Sequence, residues 1–206
     1  MVVTTVIPTI GRETLWTRAV PSVEVQQAEW RIIVVGDGVD IPPFPDPRIT
    51  VLRIPRQKYP ADPHEAWLVS GTDAARHGVE HVETEWWSYL SDDDAYDPQH
   101  HELLLDGAED FDLVFGRSMY HVADVVTPVR SDPPVPPGDM DVCQGAYIIR
   151  TSLHHYPSAV RVREGGWDAT WWRQLRERGD VRFKRVPAVV LHYYPERTGW
   201  GFQWAT

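Results

Sequence analysis

The stretch WWSYLSDDDAYDP, Trp86 to Pro98, places a strand directly before an acidic cluster. Trp86 to Leu90 is a short apolar run that reads as a buried strand, and it stops at Ser91 and three consecutive aspartates, Asp92, Asp93 and Asp94. Open α/β sheets bind ligands outside the carboxyl ends of their strands, so an acidic cluster at such an end marks a candidate site. Adjacent carboxylates repel one another unless a cation or hydrogen-bond donors meet them, and an oxygen-rich cluster suits Mg²⁺ or Mn²⁺. Asp92 and Asp93 read as ligand contacts, whereas Asp97 before Pro98, and in part Asp94, read as turn and capping residues.

The same pattern of an apolar run ended by turn residues recurs on both sides of this strand. Val2 to Ile7 is a β-branched run stopped by Pro8, and a polar turn from Thr9 to Arg12 follows it. Leu15, Ala19, Val20 and Val23 fall near helical spacing, with Pro21 predicting a break or kink. Arg31 to Val35 reads as a second strand ending in Gly36, Asp37 and Gly38, and Ile49 to Ile54 as a third. Asp37 either stabilises its own turn as an Asx residue or faces a ligand at the same sheet edge as the acidic cluster.

Asp62 and Pro63 predict a capped helix running through Ala66, Trp67, Ser70 and Ala74 to near Gly78. Asp97 and Pro98 open another, carrying Leu103 to Leu105. Leu113 to Phe115 and Cys143 to Arg150 read as strands, Gly166 to Arg178 as a helix closed by Gly179, and Val186 to His192 as a last strand. Strands alternating with helices predict a single α/β, Rossmann-like domain with a mostly parallel sheet covered on both faces. The segment from Thr127 to Asp141, with five prolines, reads as a long loop, and Tyr193 to Thr206 as an aromatic tail.

Composition bounds what such a domain can do. The chain has 206 residues, 42% of them apolar and 24% charged, which predicts a substantial core. Twenty basic residues against 30 acidic ones give a net charge of −10, unsuited to sequence-independent binding along a nucleic-acid backbone. A single cysteine, Cys143, excludes an intrachain disulfide, and no apolar run approaches the length of a membrane span; both predict a cytoplasmic location. With no glycine-rich phosphate loop in the sequence, a diphosphate at this site would call for a cation.

Of the histidines, the His100 and His101 pair reads as an exposed helix face, since no third ligand stands at zinc spacing. Trp16, Trp30 and Trp67 read as core, and Trp171 packs on one helical face with Trp167 and Leu175. Trp200, Phe202 and Trp204 either seal the C-terminus or stack on a ligand.

The ordered set VIPTIGR (residues 6–12), VVGDGVD (34–40), AARHGVE (74–80), YLSDDDAYDP (89–98), WDATWWRQLRERG (167–179) and VPAVVLHYY (186–194) resembles family 2 glycosyltransferases of the GT-A fold over most of the chain. The resemblance implies a GT-A-like domain whose residues 1–115 bind a nucleoside diphosphate sugar and a metal, and whose residues 116–206 face the acceptor. It implies donor contacts from Pro8, Thr9 and Arg12, a base contact at Asp37, a phosphate contact at Arg76 and a ribose contact at Asp92. It further implies metal ligation by Asp93, with His192 near metal or diphosphate, and Asp168 as catalytic base with Glu164 in reserve. The sequence departs from the family in carrying His77 where Asn is usual, in a spacing one residue short before the acidic cluster, and in lacking the QxxRW signature of processive synthases.

The expected activity is therefore metal-dependent, non-processive, inverting transfer of a sugar to a saccharide or small-molecule acceptor, nucleic acid being the less expected one. The alternatives are a nucleotidyltransferase and a non-catalytic nucleotide-sugar-binding module. Asp168 and His192 also have ordinary readings, as a helix-start cap and as a satisfied strand-end histidine.

Overall fold

The computed structural model describes residues 1–122, 125–128, 134–138, 141–153 and 166–195. Glu164, Trp200, Phe202, Trp204 and the remainder of the 127–141 loop and 193–206 tail lie outside the described residues. Among the described residues nine strands join one sheet: β1 (Val2–Thr9), β2 (Glu29–Asp37), β3 (Ile49–Ile54), β4 (Trp86–Tyr89), β5 (Ala95–Tyr96), β6 (Leu113–Val122), β7 (Val125–Pro128), β8 (Tyr147–Arg150) and β9 (Phe183–Tyr193). Their order is β3-β2-β1-β4-β8-β6-β9-β5, with β7 pairing β6.

The α/β class and the alternation read from sequence hold, and the parallel part of the sheet is its first half. β3, β2, β1 and β4 pair in parallel, whereas β4 with β8, β8 with β6, β6 with β7, and β9 with β5 pair antiparallel, so the whole sheet is mixed. Parallel pairing returns between β6 and β9. The chain winds from β1 outward through β2 to β3, then returns to the other side of β1 as β4. This reversal opens a crevice at the carboxyl ends of β1 and β4, where a ligand can enter.

Pro8 does not stop the first strand, which continues to Thr9 in register with Gly36. The Val6 carbonyl accepts from Leu90 N–H, so Pro8, two residues on, has its missing N–H on that same side, past the end of the β4 ladder. Pro21 falls where a π-helical turn (Leu15–Ala19) passes into α1 (Val20–Glu24). The single helix expected after Asp62 is two, α2 (Pro63–Leu68) and α3 (Thr72–Val79), because Gly71 adopts φ 72°, a left-handed conformation that interrupts helical bonding. The Asp62 cap is present, its carboxylate accepting from Glu65 N–H at 2.9 Å.

α4 (His100–Leu105) begins two residues after Pro98, and Asp97 closes the preceding turn by accepting from Gln99 N–H at 3.0 Å. Contrary to the exposed-face reading, His100 and His101 are fully buried. They stand one helical turn before Leu104 and Leu105 and share their inward face. His100 stacks on Tyr96 at 3.7 Å and donates from Nδ1 to the Val190 carbonyl at 2.8 Å.

Trp16 and Trp67 are 39% and 43% exposed, so the core reading holds only for Trp30 among those three. Trp86 and Trp87 of β4 are fully buried, as are Trp171 and Trp172 of α5 (Gly166–Glu177). Trp171 lies 6.0 Å from Trp87 and 5.2 Å from Tyr147, so aromatic burial clamps α5 to the sheet. Among the described residues no helix is long and apolar enough to cross a membrane.

Candidate functional site

A cavity of about 440 Å³ opens at the carboxyl ends of β1, β2 and β4. This volume lies in the range of ligand sites, roughly 300–1,000 Å³. Pro8, Thr9, Arg12, Asp37, Asp92 and Asp93 all line it, so these six residues named from sequence come together.

The three adjacent carboxylates meet different fates. Asp92 is buried, accepting from Thr9 Oγ1 at 2.6 Å and from Arg12 Nη1 at 2.8 Å. Asp93 shares that guanidinium at 2.9 Å, while its backbone carbonyl accepts from Arg18 at 2.5 Å. Asp94 turns away from the cavity to accept from Tyr194 N–H at 2.8 Å. Burial, and then the charge of Asp93, push the Asp94 carboxyl well above the ordinary carboxylate range. Arg12 and the hydroxyl of Thr9 thus supply positive charge and donors, while Asp94 is biased toward its neutral form.

At the end of β2, Asp37 is not a local Asx turn. Its Oδ1 accepts from Gln57 N–H at 2.6 Å and its Oδ2 from the Tyr59 hydroxyl at 2.7 Å. Arg56 Nη1 lies 3.4 Å from Oδ2 and donates to the Asp37 carbonyl at 3.0 Å. Gly38 makes this approach possible. Its φ is +69°, and a Cβ there would meet the Cβ of Arg56 at 2.6 Å. Burial, reinforced by Asp37, pushes the Tyr59 hydroxyl up to about 12, so it stays a proton donor near neutrality.

Arg56, Tyr59 and Trp67 line the cavity and were not named from sequence as site residues. They come from the segment between β3 and α3, where prolines break any periodicity. The one usable signal was Asp62 with Pro63, which announced a helix but not its exposed face.

The remaining sequence candidates lie off this wall. Arg76 sits on α3 and reaches its own-helix neighbour Asp73 at 3.7 Å. His192, on β9, has Nδ1 2.8 Å from His121 Nε2 and Nε2 3.4 Å from Asp97 Oδ2. Asp168 stands on the first turn of α5, half-buried, accepting from Ala169 N–H at 2.8 Å. Burial outweighs that hydrogen bond and pushes its carboxyl above the ordinary range.

No group of three or more His, Cys, Asp or Glu able to enclose a metal forms among the described residues. Among the described residues of the acidic cluster, Asp93 is the partly exposed carboxylate on the cavity wall, with one oxygen on Arg12; it would be the residue to hold such an ion, since Mg²⁺ commonly takes one or two carboxylates with phosphate oxygens and water filling the rest.

No protein-family model and no characterised protein sequence matches this chain. Solved structures do. The structure of S. aureus TarS 1-349 in complex with UDP superposes with a TM-score of 0.68 at 12% identity, covering 95% of this chain and 61% of TarS 1-349. The complex with UDP-GlcNAc gives 0.63 at 13% identity, covering 95% and 59%. S. aureus TarS itself gives 0.68 at 12% identity, covering 95% and 37%. This chain therefore spans about three fifths of TarS 1-349 or less. TarS is a GT-A-type family 2 glycosyltransferase, and the fold of this chain, a mixed α/β sheet with its cavity at the strand ends, is GT-A-like.

Proposed function

We propose that the protein is a glycosyltransferase that takes a sugar from a nucleoside diphosphate sugar. What carries the reading is the convergence of Arg12, Asp37, Asp92 and Asp93 on one cavity at a strand-order reversal. The TarS structures that share the fold hold UDP and UDP-GlcNAc, which supports a uridine-type donor.

In this reading the nucleoside lies toward Asp37, Tyr59 and Arg56, and the diphosphate toward Arg12 and Asp93. Mg²⁺ or Mn²⁺ held by Asp93 would neutralise charge on the leaving diphosphate. Asp168 takes the proton of the acceptor hydroxyl as its oxygen attacks the anomeric carbon, and the nucleoside diphosphate leaves with the electrons of the broken bond. Desolvation makes Asp168 a stronger base than an exposed carboxylate, which supports that role. A single base with no nucleophile gives inversion, and the acceptor is a saccharide or other small hydroxyl compound. The protein works where nucleotide sugars are made, in the cytoplasm.

The test is UDP release from UDP-GlcNAc and UDP-glucose with Mn²⁺, with and without a panel of saccharides. Acceptor-stimulated release supports the transferase, whereas tight nucleotide binding with no release identifies a binding module instead.

A further inference from the structure

Trp67 stands on the cavity wall with 43% of its surface exposed, although burial is the usual reason for a tryptophan. It belongs to α2, a helix with no buried residue. Pro63, Ala66 and Trp67 line the cavity at spacings of three and four residues, so one face of α2 forms an uncharged wall, which Ser70 extends just past the helix end. The indole stacks with His64 at 6.1 Å and 23° between planes. The charged lining comes from other segments: Arg12, Asp92 and Asp93 follow β1 and β4, and Asp37 and Arg56 end β2 and follow β3.

α2 also packs against α5, whose first turn carries Asp168. The helix that lines the cavity thus also touches the helix bearing the proposed base. A sugar ring has an apolar C–H face and a hydroxyl rim, and its C–H face matches a flat indole. An aromatic ring makes such contact at low entropic cost because only two torsions are fixed. We infer that Trp67 is the stacking platform of an acceptor subsite for a saccharide, set between the donor cavity and α5. The inference rests on the transferase reading in assigning the saccharide as acceptor.

The indole resonances of ¹⁵N-tryptophan-labelled protein test it, with Trp67 assigned by its loss in Trp67→Phe. UDP with Mn²⁺ is added first, and cellobiose, maltose and chitobiose are then titrated into the saturated protein. The expected result is a saturable shift of the Trp67 resonance by at least one disaccharide in the wild type, with calorimetry of the same titration giving a disaccharide affinity about tenfold or more weaker in Trp67→Ala and less weakened in Trp67→Phe. No α2 residue is fully buried, so Trp67→Ala should retain the fold, which the dispersion of the remaining tryptophan resonances checks. The inference is overturned if none of the disaccharides moves the resonance, or if UDP or UDP-GlcNAc alone gives the full shift, which would put the indole against the donor. If UDP fails to bind, the donor reading fails, and the disaccharide titration still decides the role of Trp67.

Discussion

The Tyr59 hydroxyl donates to Asp37 Oδ2 across 2.7 Å, tying the segment after β3 to the end of β2. Asp37 is 1% exposed, so a donor removed from its carboxylate is not replaced freely by water. Tyr59→Phe should lower stability by about 1.5–3 kcal/mol, the range for hydrogen bonds to charged groups, measured by urea unfolding at pH 7. An unchanged midpoint would mean that the bond contributes nothing to the fold.

Gly38 makes a second demand on the same corner. Gly38→Ala forces a side chain into left-handed backbone and against the Cβ of Arg56, so Arg56 must move off Asp37. The variant should lose about 1–3 kcal/mol of stability, and its affinity for UDP should fall with it. Wild-type affinity in the folded variant would separate Arg56 from nucleotide binding.

Acid should weaken the fold through α4. Burial holds His100 down at about 3 and His101 well below its ordinary value near 6.5. Both are neutral in the folded chain and protonate on unfolding, so their stability is present above about pH 6.5 and lost as pH falls. Each contributes a slope of about 1.4 kcal/mol per pH unit below that value. Asp94 and Asp168, with raised values, slope the other way, so the comparison must be with a variant. His101→Leu should unfold with a visibly flatter pH dependence between pH 6.5 and 5 in urea titrations; equal slopes would contradict a buried, neutral His101.

Much of this was legible in the sequence for a physical reason. β-branched and aromatic runs that end in Asp37 or in Asp92 and Asp93 mark parallel strands and their carboxyl ends together, and those acids do meet at one cavity. Pairing direction is not written in a single run, so nothing announced that β8 lies antiparallel between β4 and β6. β5 spans two residues, too few for any period. His100 and His101 read as surface because histidine is polar, yet their four-residue spacing to Leu104 and Leu105 carried the correct face. Arg56 and Tyr59 reach the site through folding of an aperiodic, proline-broken segment, which only tertiary structure reveals.

Binding and chemistry should separate at Asp168. Asp168→Asn keeps size and removes the base, so turnover should fall about 10²-fold or more while affinity for UDP changes little. In the wild type, the acid limb of turnover should lie above the ordinary carboxylate range, because burial raises this group. Near-normal turnover in the variant would transfer the role to another carboxylate, with Glu164 first in line.

In the proposed function Asp93 and its neighbours bind a nucleoside diphosphate through a divalent cation, and calorimetry of UDP binding reads this without any acceptor. Wild-type protein with Mn²⁺ should bind UDP, with affinity falling about tenfold or more on chelation and to a similar extent in Asp93→Asn. UDP affinity that is absent in the wild type, or indifferent both to chelator and to Asp93→Asn, would exclude a cation-bridged diphosphate at Asp93.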